Sequence, residues 1–165
     1  VEYTVDARIS KDILKQLSEV YRKIRNTSRI IMANLGDPAT DFDPNKDMVS
    51  PNKLYEIDKW ALTELNKLVK TCRDAYNNYE FHILYHDVCN FCTTTLSKLY
   101  IDITKDRVYV ERKDSEGRRA AQTAMFIILS SLTRLIAPML AFTAEEIWSF
   151  MPKKASDSSE SVCCA

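Results

Sequence analysis

Two glycines, Gly36 and Gly117, serve a chain of 165 residues. Tight β-turns draw on glycine for backbone angles with positive φ, and phosphate-cradling loops need several glycines in one short run. The scarcity argues against an all-β fold and against a Gly-rich nucleotide loop. Long helices remain, and the apolar spacing agrees. Ile9, Ile13, Leu17, Val20, Ile24, Ile31 and Leu35 recur at three- and four-residue steps, the stripe of an amphipathic helix over residues 9–35. Ser10 caps it, and Asp12 suits its first turn.

Further along, "GDPATDFDPNKDMVSP" (36–51) reads as a loop, with three prolines and four Asp. Pro51 then opens a helix to about Asn77, with Leu54, Ile57, Trp60, Ala61, Leu65, Leu68, Val69 and Cys72 inward. A break at "NNYE" precedes a third helix from Phe81 to beyond Leu99. Residues 100–113 fit either continued helix or extended chain, and "KDSEG" is a turn. A fourth, broadly apolar helix spans about 118–136 and ends at Ala137-Pro138. In "FTAEEIWSF", Thr143 is the expected cap, with Glu145 and Glu146 in the first turn. The expected fold class is all-α: an antiparallel bundle of four main helices plus a short C-terminal helix, over residues 1–152. Residues 153–165, "KKASDSSESVCCA", are expected to be a disordered tail. The start at Val1 suits a piece of a longer protein.

Charge balances at 23 cations and 23 anions, so any electrostatic footprint must be local. No window reaches about 18 uncharged apolar residues, so no membrane span is expected. Five cysteines follow no disulfide framework and read as reduced thiols of a cytoplasmic protein. His82, His86 and Cys89, in "HILYHDVCNFC", carry zinc-type donors at helical spacing. That face also holds Tyr85 and Leu96, so core packing is the preferred reading, with no metal and no catalytic residue assigned. Vicinal Cys163 and Cys164 read as a truncation scar.

The stretch "YRKIRNTSR" (21–29) is more directional. At about 100° per residue, Lys11, Lys15, Arg22, Arg25 and Arg29 line up opposite the apolar stripe. Mixed signs would be expected of a face serving only solubility. Arginine forks match phosphate oxygens. Lys105, Arg107, Arg112, Lys113, Arg118 and Arg119 form a second cluster, with Tyr100 and Tyr109 near enough in sequence to stack on bases. Nucleic acid, an acidic protein partner and plain solvated surface all fit these residues.

Several blocks, in order, carry a resemblance: "YRKIRNTSRIIMANL…DFDP", "LYEIDKWAL", "AYNNYEFHILYHDVCNFC", "LSKLYIDITKDRVYV", "RRAAQTAMF" and "LIAPMLAFTAEEIW". Over about residues 5–150 the chain resembles the anticodon-binding domain of isoleucyl-tRNA synthetases. The resemblance implies a class I enzyme that uses ATP with magnesium to attach isoleucine to its tRNA, with zinc in parts outside this chain. It implies that the catalytic site lies upstream, since the sequence holds no His-x-Gly-His and no Lys-Met-Ser-Lys-Ser segment. The implied partners are the isoleucine-accepting tRNA and the catalytic domain of the same polypeptide, in a monomer. The expected tRNA-facing residues are Arg22, Lys23, Arg25, Asn26 and Arg29. Lys105, Arg107, Arg118, Arg119 and Gln122 are expected either to join them or to tie helices together through Asp102 and Asp106. The alternative is a helical module binding an acidic protein.

Overall fold

A computed structural model describes residues 9–37, 41–157 and 159–165. The expectations touching residues 1–8, 38–40 and 158 lie outside that set. Six α-helices follow in order: α1 (Lys11–Leu35), α2 (Glu56–Asn77), α3 (Phe81–Asn90), α4 (Ile101–Tyr109), α5 (Glu116–Ile136) and α6 (Ala141–Phe150). A π-helical segment, Phe91–Tyr100, joins α3 to α4 without a break, so three stretches form one long rod. Among the described residues there is no strand. The result is the expected all-α bundle: four long rods and a short final helix.

Local signals explain most boundaries. Ser10 accepts the Ile13 amide at 3.2 Å and starts α1. Gly36 ends it at φ 68°, where its own amide reaches Met32 O, and a Cβ there would sit 2.6 Å from Asp41 Oδ2. Tyr79 takes a positive φ of 59° after α2, while the Glu80 and Tyr79 amides return to Ala75 O and Tyr76 O. That is a Schellman closure built without glycine.

Two starts differ from expectation. Pro51–Lys53 is only a 3₁₀ turn, and α2 begins at Glu56. Leu54 is extended there and buried, and Asp58 accepts the Tyr55 amide at 3.1 Å, which sets the new start. Thr143 does not cap α6: the helix begins at Ala141, and Thr143 is buried inside it against Tyr21. Glu145 and Glu146 therefore lie beyond the first turn.

The ambiguous segment 100–113 is helical to Tyr109. Burial along the rod falls on every fourth residue: Leu84, Val88, Cys92, Leu96, Tyr100, Thr104 and Val108. On an α-helix a four-residue step overshoots one turn by about 40°. A π-helix, with about 4.4 residues per turn, undershoots by about 30°. Splicing the two keeps the stripe aimed at its neighbours. Ser97 Oγ supports the wider turn by donating to Cys92 O at 2.8 Å. This stripe also corrects the face assigned to His82 and His86, which are two residues out of phase with it and exposed.

α5 is the central rod. It is buried on nearly every side, from Gly117 through Ile136, as expected of a helix apolar all round. It packs against α1, α2, α4 and α6.

Among the described residues, the tail makes side-chain contacts with the bundle. Trp148 donates Nε1–H to Ser159 O at 3.1 Å, and Glu145 accepts from Ser161 Oγ and the Val162 amide. Arg134 pairs with Asp157 at 3.1 Å, and Val162 is buried. Polar composition hid these anchors, each made to a helix already in place.

Candidate nucleic-acid interface

The rotation of α1 about its axis is fixed from its buried side. Ile24, Thr27, Ser28 and Ile31 face the core. Thr27 Oγ1 donates to Lys23 O and meets Ser97 Oγ at 3.1 Å, tying α1 to the π segment. Tyr21 Oη meets Thr143 Oγ1 at 3.1 Å, tying it to α6. With that side clamped, Arg22, Lys23, Arg25, Asn26 and Arg29 point into solvent, as do Lys11 and Lys15. Among the described residues, Arg25 alone of these forms an ion pair. It lies 3.8 Å from Glu146, both side chains about half exposed. Such a pair is worth under about 1 kcal/mol, so its guanidinium stays available. Between α1 and α6 runs a narrow cleft of about 100 Å³, lined by Arg25, Ser28, Arg29, Met32, Glu146 and Phe150 among others.

The second cluster comes out differently. Arg107 Nη2 donates to both Asp58 oxygens, at 2.7 and 2.9 Å, and its guanidinium lies over the Tyr55 ring. Asp58 is fully buried, and Arg107 is 12% exposed. Tyr100 donates to the same carboxylate at 2.8 Å. Burial first, and the Asp58 charge second, push the Tyr100 phenol well above its ordinary range. Tyr100 is thus core, not a stacking ring, whereas Tyr109 is exposed. Arg118 donates to Asp41 Oδ1 at 3.1 Å. Arg119 donates to Asp41 O at 2.6 Å and pairs with Asp47 at 3.5 Å. Gln122 is buried and donates to Asn34 O at 3.0 Å.

These four residues hold helices and the 41–47 loop together, so assigning Arg107, Arg118, Arg119 and Gln122 to a phosphate face is corrected. The expected ties through Asp102 and Asp106 are corrected too: Asp58, Asp41 and Asp47 are the partners. Lys105 stays at the surface, 3.1 Å from Asp102.

The histidine–cysteine face shows no metal geometry. Among the described residues, no group of three or more His, Cys, Asp or Glu is placed to hold an ion. His86 lies 3.2 Å from Asp87 in solvent. Cys92 is deeply buried, which pushes its thiol up to about 12.

Sequence reasoning missed two surfaces. One is an apolar face. The first half of α1 stands clear of the bundle, with Ile9 just before it 81% exposed and Ile13, Leu14 and Leu17 also open. It borders a groove of about 580 Å³ lined by Leu17, Val20, Tyr21, Tyr85, Met139 and Leu140 among others. The apolar stripe was legible, but its lack of cover was not. The other is the outer face of α6, where Phe142 and Phe150 are 94% and 73% exposed. Their four-residue spacing about Glu146, out of phase with Thr143, Ala144, Ile147 and Trp148, was the available signal.

Residues 58–165 match the family described as the anticodon-binding domain of tRNA ligase. This chain belongs to that family. Its curated relatives include the isoleucine–tRNA ligase of Syntrophotalea carbinolica, 54% identical over 157 residues, 95% of this chain and 16% of that protein. The isoleucine–tRNA ligase of Caldanaerobacter subterraneus subsp. tengcongensis is 52% identical over 98% of this chain and 17% of its own length. That of Geobacter sulfurreducens is 50% identical over 95% and 16%. The chain therefore spans about one sixth of the length of these relatives. For this member of the anticodon-binding family, the match begins at Asp58, the buried carboxylate that anchors Arg107. Among the described residues, no helix is long and apolar enough to cross a membrane.

Proposed function

We propose that this chain is the part of a cytoplasmic isoleucine–tRNA ligase that docks the isoleucine-accepting tRNA. Arg22, Lys23, Arg25, Asn26 and Arg29 hold backbone phosphates. The observation that carries this reading is the α1 outer face: a run of cations turned to solvent by a clamped helix, with one weak ion pair among them. Contacts of this kind fix position and register without reading sequence. Lys105, beside Asp102, is a peripheral contributor.

In the longer enzyme, isoleucine is activated with ATP and magnesium and then esterified to the tRNA. This chain supplies docking only. Its residues do not fit a nucleotide site: Gly36 closes a helix and Gly117 is packed against Glu111, so neither belongs to a phosphate loop. Zinc, too, belongs to other parts of the polypeptide. The open apolar half of α1 and its groove give the catalytic domain a surface to pack on, in a monomer. An apolar patch of that extent marks a contact site.

The test is the salt dependence of tRNA binding. Each phosphate contact contributes about 0.7–0.9 to the log–log slope. Replacing Arg22, Arg25 and Arg29 together with Ala flattens the slope by roughly two to three units. An unchanged slope in a folded triple variant would reduce the stripe to ordinary surface.

A further inference from the structure

We infer that Phe150, with Phe142 also on the exposed side of α6, is a stacking platform for unpaired nucleobases beside the α1 cations. This rests on the docking function proposed above and names the site within it that meets bases.

α6 buries Thr143, Ala144, Ile147 and Trp148. Phe142, Glu146 and Phe150, four residues apart, lie on its exposed side, each step turning about 40° further round, and the two phenylalanine positions are about 12 Å apart along the axis at 1.5 Å per residue. A single exposed apolar residue calls for no explanation, but two phenyl rings on one short helix face do. Neither pairs with another aromatic ring among the described residues. Phe150 instead walls the cleft that Arg25 and Arg29 also line. Guanidinium groups beside a bare ring are what a single strand needs: cations for its backbone and a flat apolar surface for its bases.

Charge selects this occupant over an apolar protein surface. Arg22, Arg25 and Arg29 would be stripped of water by an apolar partner without compensation, whereas a polyanion pairs with them. Glu146 sits between the rings and accepts hydrogen bonds only. It repels phosphate but suits the exocyclic amine of a base stacked on Phe150, as carboxylates do with cytosine N4. The site therefore takes bases that carry an amine and disfavours uracil.

The experiment compares the full chain with Phe150→Ala, Phe150→Leu and Phe142→Ala on two RNAs, a hairpin with an unpaired loop and a blunt duplex of the same length. A 2-aminopurine in the loop reports stacking through its quenched emission. Phe150→Ala and Phe150→Leu are expected to weaken hairpin binding at least about fivefold and to abolish the quenching. Duplex affinity and the salt slope stay unchanged, and Phe142→Ala gives a smaller loss in the same direction. Full binding by the leucine variant overturns stacking, since apolar bulk would then suffice. Equal losses on hairpin and duplex overturn it as well, as does no loss on either. Should Phe150→Ala do nothing while the triple arginine variant still flattens the slope, the docking function stands and the platform falls. Should the slope also stay put, both fall.

Discussion

The cations of α1 and those of α4 and α5 look alike as text and have opposite fates in the fold. On α1, Arg22, Arg25 and Arg29 meet one acid, Glu146, at 3.8 Å. On α4 and α5, Arg107, Arg118 and Arg119 each meet a carboxylate delivered from far away in the chain: Asp58 to Arg107, Asp41 to Arg118 and Asp47 to Arg119. The difference teaches that a cluster of arginines measures surface potential only where no other element brings an acid to it. α1 lies against α5, the π segment and α6, which bring it hydroxyls and apolar groups, with Glu146 as its one paired acid among the described residues. α4 and α5 pack against α2 and the 41–47 loop, which offer aspartates. One set is free to take a phosphate, and the other has already taken its anion.

Removing Arg107 strains this contrast most. Arg107→Ala leaves the Asp58 carboxylate buried with Tyr100 as its remaining side-chain donor. Loss of one partner from a buried pair costs about 3–5 kcal/mol. Urea unfolding is expected to show a loss of that size, and a loss below about 1 kcal/mol would mean that the pair is not an anchor.

Alkaline pH comes next. Burial is the leading cause that pushes Cys92 to about 12, Cys72 to about 11 and Tyr76 to about 12. In the unfolded chain thiols ionise near 9.0 and phenols near 10.0. Above about pH 9 the unfolded state thus binds fewer protons than the folded one, and stability falls as pH rises. Below that pH these groups contribute no slope. A urea midpoint that holds level from pH 9 to 11 would contradict the burial.

The smallest effect belongs to α1. Replacing Arg22, Arg25 and Arg29 with Ala is expected to change unfolding free energy by no more than about 0.5 kcal/mol per site. A loss approaching that of Arg107 would show the stripe to be structural and erase the contrast.

Much of this was legible beforehand. Ser10, the 3.6-residue period and Gly36 mark α1 from local chemistry alone, and the outward line of cations follows from them. Arg107 was not legible, because its partner Asp58 lies on a different helix and nothing in "TKDRVY" points to it. Gln122 and Arg119 were hidden for the same reason: their acceptors sit on the end of α1 and in the 41–47 loop. The contacts of the described tail residues were not legible, because composition reports how a segment behaves alone, while Trp148 and Glu145 offer these residues partners. His82 and His86 were placed on the wrong face because an α-helical wheel was applied where the buried period is four.

That period has a mechanical consequence. Ten residues wound at about 82° each, rather than about 100°, lag by about half a revolution over the π segment. Were Phe91–Tyr100 to rewind as ordinary α-helix, everything after it would rotate with it, and Arg107 would emerge on the far side of the rod from Asp58. The salt bridge therefore acts as a latch on the winding of a helix two turns upstream, and gaining or losing one residue there would release it.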